Sequence, residues 1–337
     1  MSMSEQSDIT IGNQSIARTL RKLAAVASMS LLVVTSTAIA PRELVKWTAF
    51  TAPSMQFNGK HVEVAAILIP VRIEPLGISG WLQFDTGVNV SSLYEGTLRR
   101  IGHAVATPPA TVHIAAAGFD ADVTPSLDRD LDEGDILGRP VLGTLGIDAL
   151  RGRALALDFP HHRLAVAPSI TLLPRDAQPQ TQQPMHVVTG SGQGARLQVA
   201  VCVGNVAAKV AYDTGSSPFV LVLSNAMWHR VTGRALGDSR NFSIRIPSFG
   251  EKLPLIGARA HGVVSAGVPL VRDPIVYTGG DAATEARFSN GTDGTLGNAP
   301  FAANYVVVLD FGTGRFGLRK VTPAHGNSVA HPSTSSG

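Results

Sequence analysis

The tripeptide Asp-Thr-Gly occurs twice in the chain, as Asp85-Thr86-Gly87 and as Asp213-Thr214-Gly215. Each copy ends an apolar, β-like run, and its glycine permits the tight turn that directs a carboxylate into a cleft instead of the core. Two carboxylates about 3 Å apart cannot both ionise, so they share a proton and divide the roles of acid and base. Asp85 and Asp213 therefore predict hydrolysis by an activated water, with no metal and no organic cofactor.

The elements that must position these aspartates also occur twice, in the same order. Gly143-Thr-Leu-Gly146 is echoed by Gly294-Thr-Leu-Gly297, and each is followed by a strand that closes on Leu-Asp-Phe. Such matched landmarks indicate an internal duplication. We predict an N-terminal lobe over residues 41–170, a Gln- and Pro-rich interdomain linker over 171–190 and a C-terminal lobe over 191–322.

The composition favours β architecture and does not indicate a nucleic-acid partner. Short β-branched runs are separated by Gly and Pro, and charged residues make up only 16% of the 337 residues. This mixture predicts an all-β protein with room for two cores. The 28 basic and 25 acidic residues are spread along the chain, so no basic stripe indicates nucleic acid as a partner.

The two ends of the chain differ in character from its middle. Arg18, Arg21 and Lys22 precede an apolar run, and Ala38-Ile39-Ala40 suits a signal-peptidase cut. Residues 1–40 therefore predict a signal peptide and export to the periplasm or outside the cell, without stable membrane insertion after cleavage; an uncleaved anchor is the alternative. Residues 323–337 predict a disordered tail. Cys202 is the single cysteine, which excludes an intramolecular disulfide, and we expect it to be buried in a strand.

Taken together, the motifs resemble the aspartic peptidase superfamily of pepsins and retropepsins. The residues that carry the likeness are Phe84-Asp-Thr-Gly87 and Tyr212-Asp-Thr-Gly-Ser-Ser217. The two-lobed layout is similar to that of pepsin, and the motifs of each lobe are nearer to those of bilobal bacterial retropepsin-like aspartyl proteases. The resemblance implies an all-β fold of two similar β-barrel-like lobes, with the active site in the cleft between them.

The resemblance also implies an activity and a set of supporting residues. The activity is that of an aspartic-type endopeptidase, a monomeric hydrolase that binds a peptide or protein substrate in extended form. The Asp turns would be supported by Thr86, Gly87, Thr214, Gly215 and Ser216, and braced by Gly146 and Gly297. Ile136-Leu137-Gly138 is a competing candidate for the first bracing element, and we prefer Gly146 because it aligns with the downstream Leu-Asp-Phe of both halves.

The two Asp turns are not equivalent. Ser216 follows the second turn and can donate a hydrogen bond to Asp213, whereas Val88 stands at the matching place in the first turn. We therefore expect Asp213 to ionise more readily and Asp85 to hold the shared proton. The resemblance further implies a β-hairpin flap over the substrate. Residues 111–118 are a candidate, with 242–249 as the counterpart, although the first lobe has no flap tyrosine.

Four other interpretations compete with this one. Asp128, Asp130 and Asp132 alternate like a calcium loop, but Arg139 stands where the bidentate Glu is required, so a solvated acidic loop is preferred. His161-His162 lacks a third metal ligand. A peptide-binding module that has lost efficient catalysis remains the alternative function. A serine hydrolase has no support, because Ser92 and Ser217 lie in no nucleophile-elbow sequence.

Overall fold

The computed structural model describes residues 45–321, apart from positions 75, 104, 106, 108, 117, 190–193 and 249–250. The predicted signal peptide and the predicted tail lie outside the described residues. The described chain is built mainly of strands, so the fold is all-β, as expected. No helix within this part of the chain has the length and apolar character needed to cross a bilayer.

The first half of the described chain holds strands β1 to β13, helix α1 and one short 3-10 helix. These elements are β1 (Thr48–Ala49), β2 (Met55–Phe57), β3 (Lys60–Val62), β4 (Leu68–Glu74), β5 (Ile78–Phe84), β6 (Ser92–Tyr94), α1 (Glu95–Arg100), β7 (Val112–Ala116), β8 (Phe119–Val123), β9 (Ser126–Asp128), β10 (Asp135–Ile136), β11 (Arg139–Leu145), a 3-10 helix (Ile147–Leu150), β12 (Ala154–Asp158) and β13 (Arg163–Ala167).

The second half repeats this arrangement after a connecting segment. The remaining elements are 3-10 helices at Ile170–Leu172 and Arg175–Ala177, β14 (Thr181–Pro184), β15 (His186–Thr189), β16 (Ala195–Val203), β17 (Val206–Tyr212), β18 (Leu221–Leu223), α2 (Asn225–Thr232), β19 (Phe242–Ser248), β20 (Glu251–Arg259), β21 (Val263–Ser265), β22 (Val268–Val271), β23 (Ile275–Gly279), α3 (Ala282–Ser289), β24 (Gly294–Leu296), β25 (Tyr305–Asp310) and β26 (Arg315–Lys320).

The sheet topology shows the duplication that the sequence predicts. The first half forms a sheet in the order β8-β7-β4-β5-β11-β6-β9, and the second half contains β22-β21-β16-β17-β24-β18-β23. Each pair of neighbouring strands in the first sheet has the same relative direction, parallel or antiparallel, as the equivalent pair in the second. The pairs β5/β11 and β17/β24, which flank the Asp turns, are both parallel. The two lobes are therefore copies of one strand pattern, and each Asp ends the central strand of its copy.

A third sheet joins the two lobes at their base. Its order is β1-β13-β12-β25-β26-β14, and the strands of the two Leu-Asp-Phe segments, β12 and β25, pair directly in its middle. All six residues of β25 are buried because both faces of this sheet are covered. The base sheet fixes the position of one lobe against the other.

The connecting segment, residues 171–190, is more structured than the linker that its composition suggested. Strand β14 pairs with β26 at the edge of the base sheet, and β15 pairs with β16. Leu172, Leu173 and Ala177 are buried against the base sheet. The segment connects the halves as part of the folded base, because its few apolar residues are enough to dock it.

The two candidate flap hairpins are not counterparts of each other. Strand β7 pairs with β4 and with β8, as β21 pairs with β16 and with β22, so the hairpin containing residues 111–118 corresponds to β21–β22. Its turn lies against β1, where a Cβ on Gly118 would be 2.4 Å from Thr48 Oγ1. The β19–β20 hairpin is an addition to the second lobe, joined to β23. At the equivalent place in the first lobe, the described residues between 101 and 111 form no strand.

The face that each residue presents follows the alternation of its strand. In β16, Val199, Val201 and Val203 point into the core, and Cys202 lies between them on the opposite face. Cys202 is exposed, so the expectation that it would be buried is wrong. The run of apolar residues suggested a strand buried on both faces, but a strand of period 2 buried on one face leaves every second residue outside.

Candidate active site

Asp85 lies at the carboxyl end of β5, where the parallel neighbour β11 also ends. Its backbone N–H donates to the carbonyl of Leu145 at 3.0 Å, and its carboxylate Oδ1 accepts from the N–H of Gly87 at 2.7 Å. The residue is only 5% exposed. The turn thus holds one carboxylate at the inner end of a central strand and directs it away from the lobe's core.

Asp213 occupies the matching place at the end of β17. Its N–H donates to Leu296 at 2.9 Å, and its Oδ1 accepts from the N–H of Gly215 at 2.8 Å. The hydroxyl of Ser216 donates to Oδ2 at 2.8 Å. This last bond has no equivalent at Asp85, because Val88 has no hydroxyl to donate. The asymmetry read from the sequence is therefore present in the hydrogen bonds.

The two carboxylates face each other across the junction of the lobes. A Cβ placed on Gly87 would lie 2.6 Å from Asp213 Oδ1, and one placed on Gly215 would lie 2.3 Å from Asp85 Oδ2. Real Cβ atoms do not approach other atoms this closely, so each turn requires glycine to leave space for the opposite aspartate. The structure brings together the two residues that the motif predicted as a pair.

The threonines of the two turns lock the lobes together through four reciprocal hydrogen bonds. Thr86 N–H donates to Thr214 Oγ1 at 2.9 Å, and Thr214 N–H donates to Thr86 Oγ1 at 3.0 Å. The Thr86 hydroxyl then donates to the carbonyl of Tyr212, and the Thr214 hydroxyl donates to that of Phe84. Both threonines are fully buried. Each lobe consequently supplies the partners for the other lobe's turn.

The glycines of the two Leu-Gly elements allow the backbone to pass close behind each turn. A Cβ on Gly146 would be 3.0 Å from the carbonyl oxygen of Val88, and one on Gly297 would be 2.0 Å from that of Ser216. The competing candidate, residues 136–138, forms the exposed turn between β10 and β11, and Leu137 is 77% exposed there. The structure therefore places Gly146 behind the Asp85 turn and Gly138 away from it.

Two polar supports behind the turns were missed by sequence reasoning. Asn298 is fully buried; its amide donates to the Thr214 carbonyl at 2.9 Å and its Oδ1 accepts from the Tyr212 hydroxyl at 3.0 Å. In the first lobe, Asp148 Oδ1 accepts from Ser91 Oγ at 2.7 Å, and Ser91 Oγ accepts from Gly146 N–H. The only sequence signal for Asn298 and Asp148 is their position, because each lies shortly after its bracing glycine, Gly297 or Gly146.

The environment of Asp85 makes its ionised form costly. Burial is the main cause that raises the pKa of Asp85 well above its usual range, and the negative charge and carboxyl hydrogen bond of Asp213 raise it further. The N–H groups of Gly87 and Gly215 oppose this effect and do not overcome it. Asp85 is therefore suited to hold a proton beside Asp213, as the unequal turns suggested.

A pocket of about 440 Å³ opens over the two carboxylates and is lined by residues of both lobes. The first lobe contributes Glu133 to its wall, and the second contributes Leu253, Arg287 and Phe288. A larger pocket of about 570 Å³ lies between the β2–β3 hairpin and the second lobe, away from the dyad. The smaller pocket is the chemically relevant one, because it contains the facing carboxylates of Asp85 and Asp213.

The residues considered for metal binding do not assemble a site. Asp130 and Asp132 pair with Arg99 and Arg100 of α1, and Asp128 accepts from Ser92 Oγ. His161 forms a hydrogen bond with the buried Asp158, and Arg163 forms an ion pair with the same carboxylate. Among the described residues, no group of three or more potential ligands has a geometry that could hold a metal ion.

Comparison with known proteins gives a limited result. No family model matches the chain. No curated protein matches it either. Among the solved structures that do match is the crystal structure of aspartic proteinase from Irpex lacteus, with 10% identity and a TM-score of 0.47, covering 82% of this chain and 97% of that one. Similarity at this level does not transfer an activity.

Replacing Thr86 with Ala should destabilise the whole molecule. The change removes the acceptor for Thr214 N–H and the donor to Tyr212, which leaves buried polar groups unpaired at a cost of about 2–4 kcal/mol in the free energy of unfolding. Urea titration measures the loss. Thr86→Ser should keep most of the stability, and exposed Thr111→Ala is the matched control. A free energy of unfolding that Thr86→Ala leaves unchanged would contradict the proposed lock.

Replacing Asp85 with Asn should change how stability depends on pH. Because folding raises the pKa of Asp85, its stabilising contribution is fully present below the unfolded pKa of about 3.9 and is lost as pH rises through the folded value. Asp85→Asn should therefore melt at a higher temperature than wild type at pH 7, and the difference should shrink toward pH 3. Exposed Asp130→Asn should show no such trend; equal melting temperatures at pH 7 would refute the burial argument.

Proposed function

We propose that the protein is an aspartic-type endopeptidase that hydrolyses peptide bonds with a water activated by Asp85 and Asp213. The observation that carries the proposal is the facing carboxylate pair, in which one partner is buried and the other accepts a hydrogen bond from Ser216. Such a pair, with environments that differ, is the arrangement that divides acid and base roles between two like groups. It needs no cofactor.

Each aspartate would have one role in the first chemical step. Asp213, whose Oδ2 accepts a hydrogen bond from the Ser216 hydroxyl, takes a proton from the attacking water. Asp85 donates its proton to the oxygen of the peptide carbonyl, so that a neutral tetrahedral diol forms and no charge is left on the oxygen. Collapse of this diol breaks the C–N bond: Asp213 returns its proton to the nitrogen, Asp85 takes a proton from a diol hydroxyl, and the products are a carboxylic acid and an amine.

The cleft suits a substrate in extended conformation. Strands and turns of both lobes border the dyad, and the β19–β20 hairpin contributes Leu253 to the pocket wall. A peptide lying across the junction would be held mainly through its backbone, with side chains received by the two walls. We propose further that the protein acts as an exported monomer of the bilobal retropepsin-like type, as the sequence analysis predicted from its motifs.

The alternative is a peptide-binding protein that keeps the fold but cleaves poorly. It is favoured by one observation: the second lobe carries the β19–β20 hairpin, whereas the described residues between α1 and β7 of the first lobe form no strand. A cleft covered from one side excludes water less completely, which weakens electrostatic catalysis. Both Asp-Thr-Gly turns are intact, so the endopeptidase remains the preferred function.

Cleavage of a denatured protein between pH 3 and 7 tests the proposal directly. The wild type should produce fragments, and an inhibitor that mimics the tetrahedral diol should block the reaction. Asp213→Asn should lower kcat by at least about 10²–10⁴-fold, since it removes the base. Asp130→Asn is the matched control, because it alters an exposed carboxylate outside the pocket. Cleavage that survives Asp213→Asn would refute the dyad, and no cleavage at any pH would favour the binding protein.

Ser216→Ala should move the acidic limb of the kcat/KM profile to higher pH. The Ser216 hydroxyl stabilises the ionised form of the pair, so its removal makes protonation of the base easier. The limb should shift by about 1 pH unit, the usual effect of one such hydrogen bond. Ser126→Ala, at an exposed serine outside the pocket, is the control. An unchanged acidic limb would contradict the assignment of roles.

A further inference from the structure

The two walls of the dyad pocket carry opposite charges. Glu133 belongs to the first lobe's wall and is exposed, whereas Arg287 belongs to the second lobe's wall, where its side chain is 39% exposed. Between them lie the carboxylates of the dyad. A substrate bound over Asp85 and Asp213 would therefore meet a negative wall on one side of the scissile bond and a positive wall on the other.

Glu133 and Arg287 occupy related positions in the duplicated fold. Glu133 lies in the segment that joins β9 to β11, and Arg287 lies in α3, which joins the corresponding strands β23 and β24. The near two-fold relation between the lobes passes between the two aspartates. Substrate side chains on the two sides of the scissile bond would then face Glu133 and Arg287, which occupy equivalent positions and carry opposite charges.

Arg287 is built into the second lobe and still has capacity for a ligand. Its backbone carbonyl accepts a hydrogen bond from Arg196 Nη2 at 2.8 Å, which fixes the last turn of α3. Its guanidinium pairs with Glu251, at the start of β20, through the single nitrogen Nη2. A guanidinium has five N–H donors in a planar fork, so a second carboxylate can bind beside Glu251. Arg196 acts here as a positioning residue.

Glu133 is available for a cation. Its neighbours Asp132 and Asp135 both pair with Arg100, but Glu133 has no ion pair with any described residue. A carboxylate at the rim of a cleft attracts a basic side chain more strongly than one in open solvent, because the low-dielectric walls reduce screening. The Glu133 wall and the Arg287 wall thus differ in sign and are both accessible.

We propose that this pocket selects peptides with oppositely charged side chains on the two sides of the scissile bond, the basic one facing Glu133 and the acidic one facing Arg287. The inference rests on the proposed peptidase function and names its substrate class. Glu133 and Arg287 would select the substrate by pairing with its charged side chains, while Asp85 and Asp213 catalyse the hydrolysis. Glu251 competes for Arg287 and so weakens the preference for the acidic side chain.

Quenched fluorescent peptides that differ only at the two residues flanking the cleaved bond test this selection. The set carries Lys then Asp, Asp then Lys, or Gln at both places, and kcat/KM is measured at pH 6. One of the two opposite-charge orders should exceed the neutral peptide by about three- to tenfold, and the other should fall below it. Equal rates for all three peptides would overturn the proposal.

Charge exchange in the protein should reverse the order that is preferred. The double variant Glu133→Lys with Arg287→Glu should favour the opposite peptide, and Glu251→Gln should strengthen the wild-type preference by freeing Arg287. If Arg287→Glu does not fold, Arg287→Gln provides the same test through loss of the acidic preference alone. Arg272→Glu, at a residue whose side chain is 97% exposed outside the pocket, is the control. A preference that none of these pocket variants alters would overturn the assignment.

Binding to the Asp213→Asn variant separates this inference from the proposed function. Fluorescence anisotropy with the same three peptides reports charge selection without any chemistry. If wild type cleaves nothing but the variant binds one opposite-charge peptide about threefold or more tightly than the neutral one, the peptidase proposal fails and the selection holds. If wild type cleaves all peptides alike and the variant binds them alike, the peptidase stands and the selection fails.

Discussion

The reciprocal bonding of Thr86 and Thr214 is the constraint on which the rest of the site depends. Each threonine side chain accepts from the other lobe's backbone N–H and donates to the other lobe's backbone carbonyl. Without the other lobe, the hydroxyl and backbone N–H groups of Thr86 and Thr214 would lose these hydrogen-bond partners. Because unsatisfied buried groups are costly, the two lobes can meet closely only in the one orientation that completes all four bonds. That orientation brings the aspartates, one residue earlier, face to face.

The unequal chemical roles of Asp85 and Asp213 then arise from small differences between two nearly equivalent turns. A single hydroxyl, that of Ser216, distinguishes the surroundings of Asp213 from those of Asp85, where Val88 follows the glycine. Burial also favours the protonated form of Asp85, because Asp85 is the more buried of the two aspartates. Duplication provides two like groups at a suitable separation, and divergence within each copy makes them chemically unlike. The walls of the pocket show the same divergence on a larger scale, with Glu133 on one side and Arg287 on the other.

Much of this could be predicted from the sequence because the signals are local and repeated. The Asp turns, the Leu-Gly elements and the Leu-Asp-Phe strands each need a particular residue at a particular place, so the pattern survives divergence of the remaining chain. The equivalence of hairpins could not be predicted in this way. A Gly-tipped pair of strands looks alike wherever it occurs, and only its pairing with β4 or with β23 shows which hairpin is which. Asn298 and Asp148 were missed because their partners lie on other elements, and the tertiary crossing of the chain brings them together.

The base sheet has a consequence for how the chain acquires its structure during synthesis. Strand β12 is buried along its whole length, and one of its edges is completed by β25, which lies about 150 residues further along the chain. The first lobe therefore leaves the ribosome with an apolar strand edge that has no partner until nearly the entire protein has been made. Unpaired edges of this kind are sites of aggregation, and contacts over long sequence separations form slowly. A chain translated slowly, or interrupted before β25, keeps that edge open for longest, so completion of the C-terminal strands is the event that protects the first lobe.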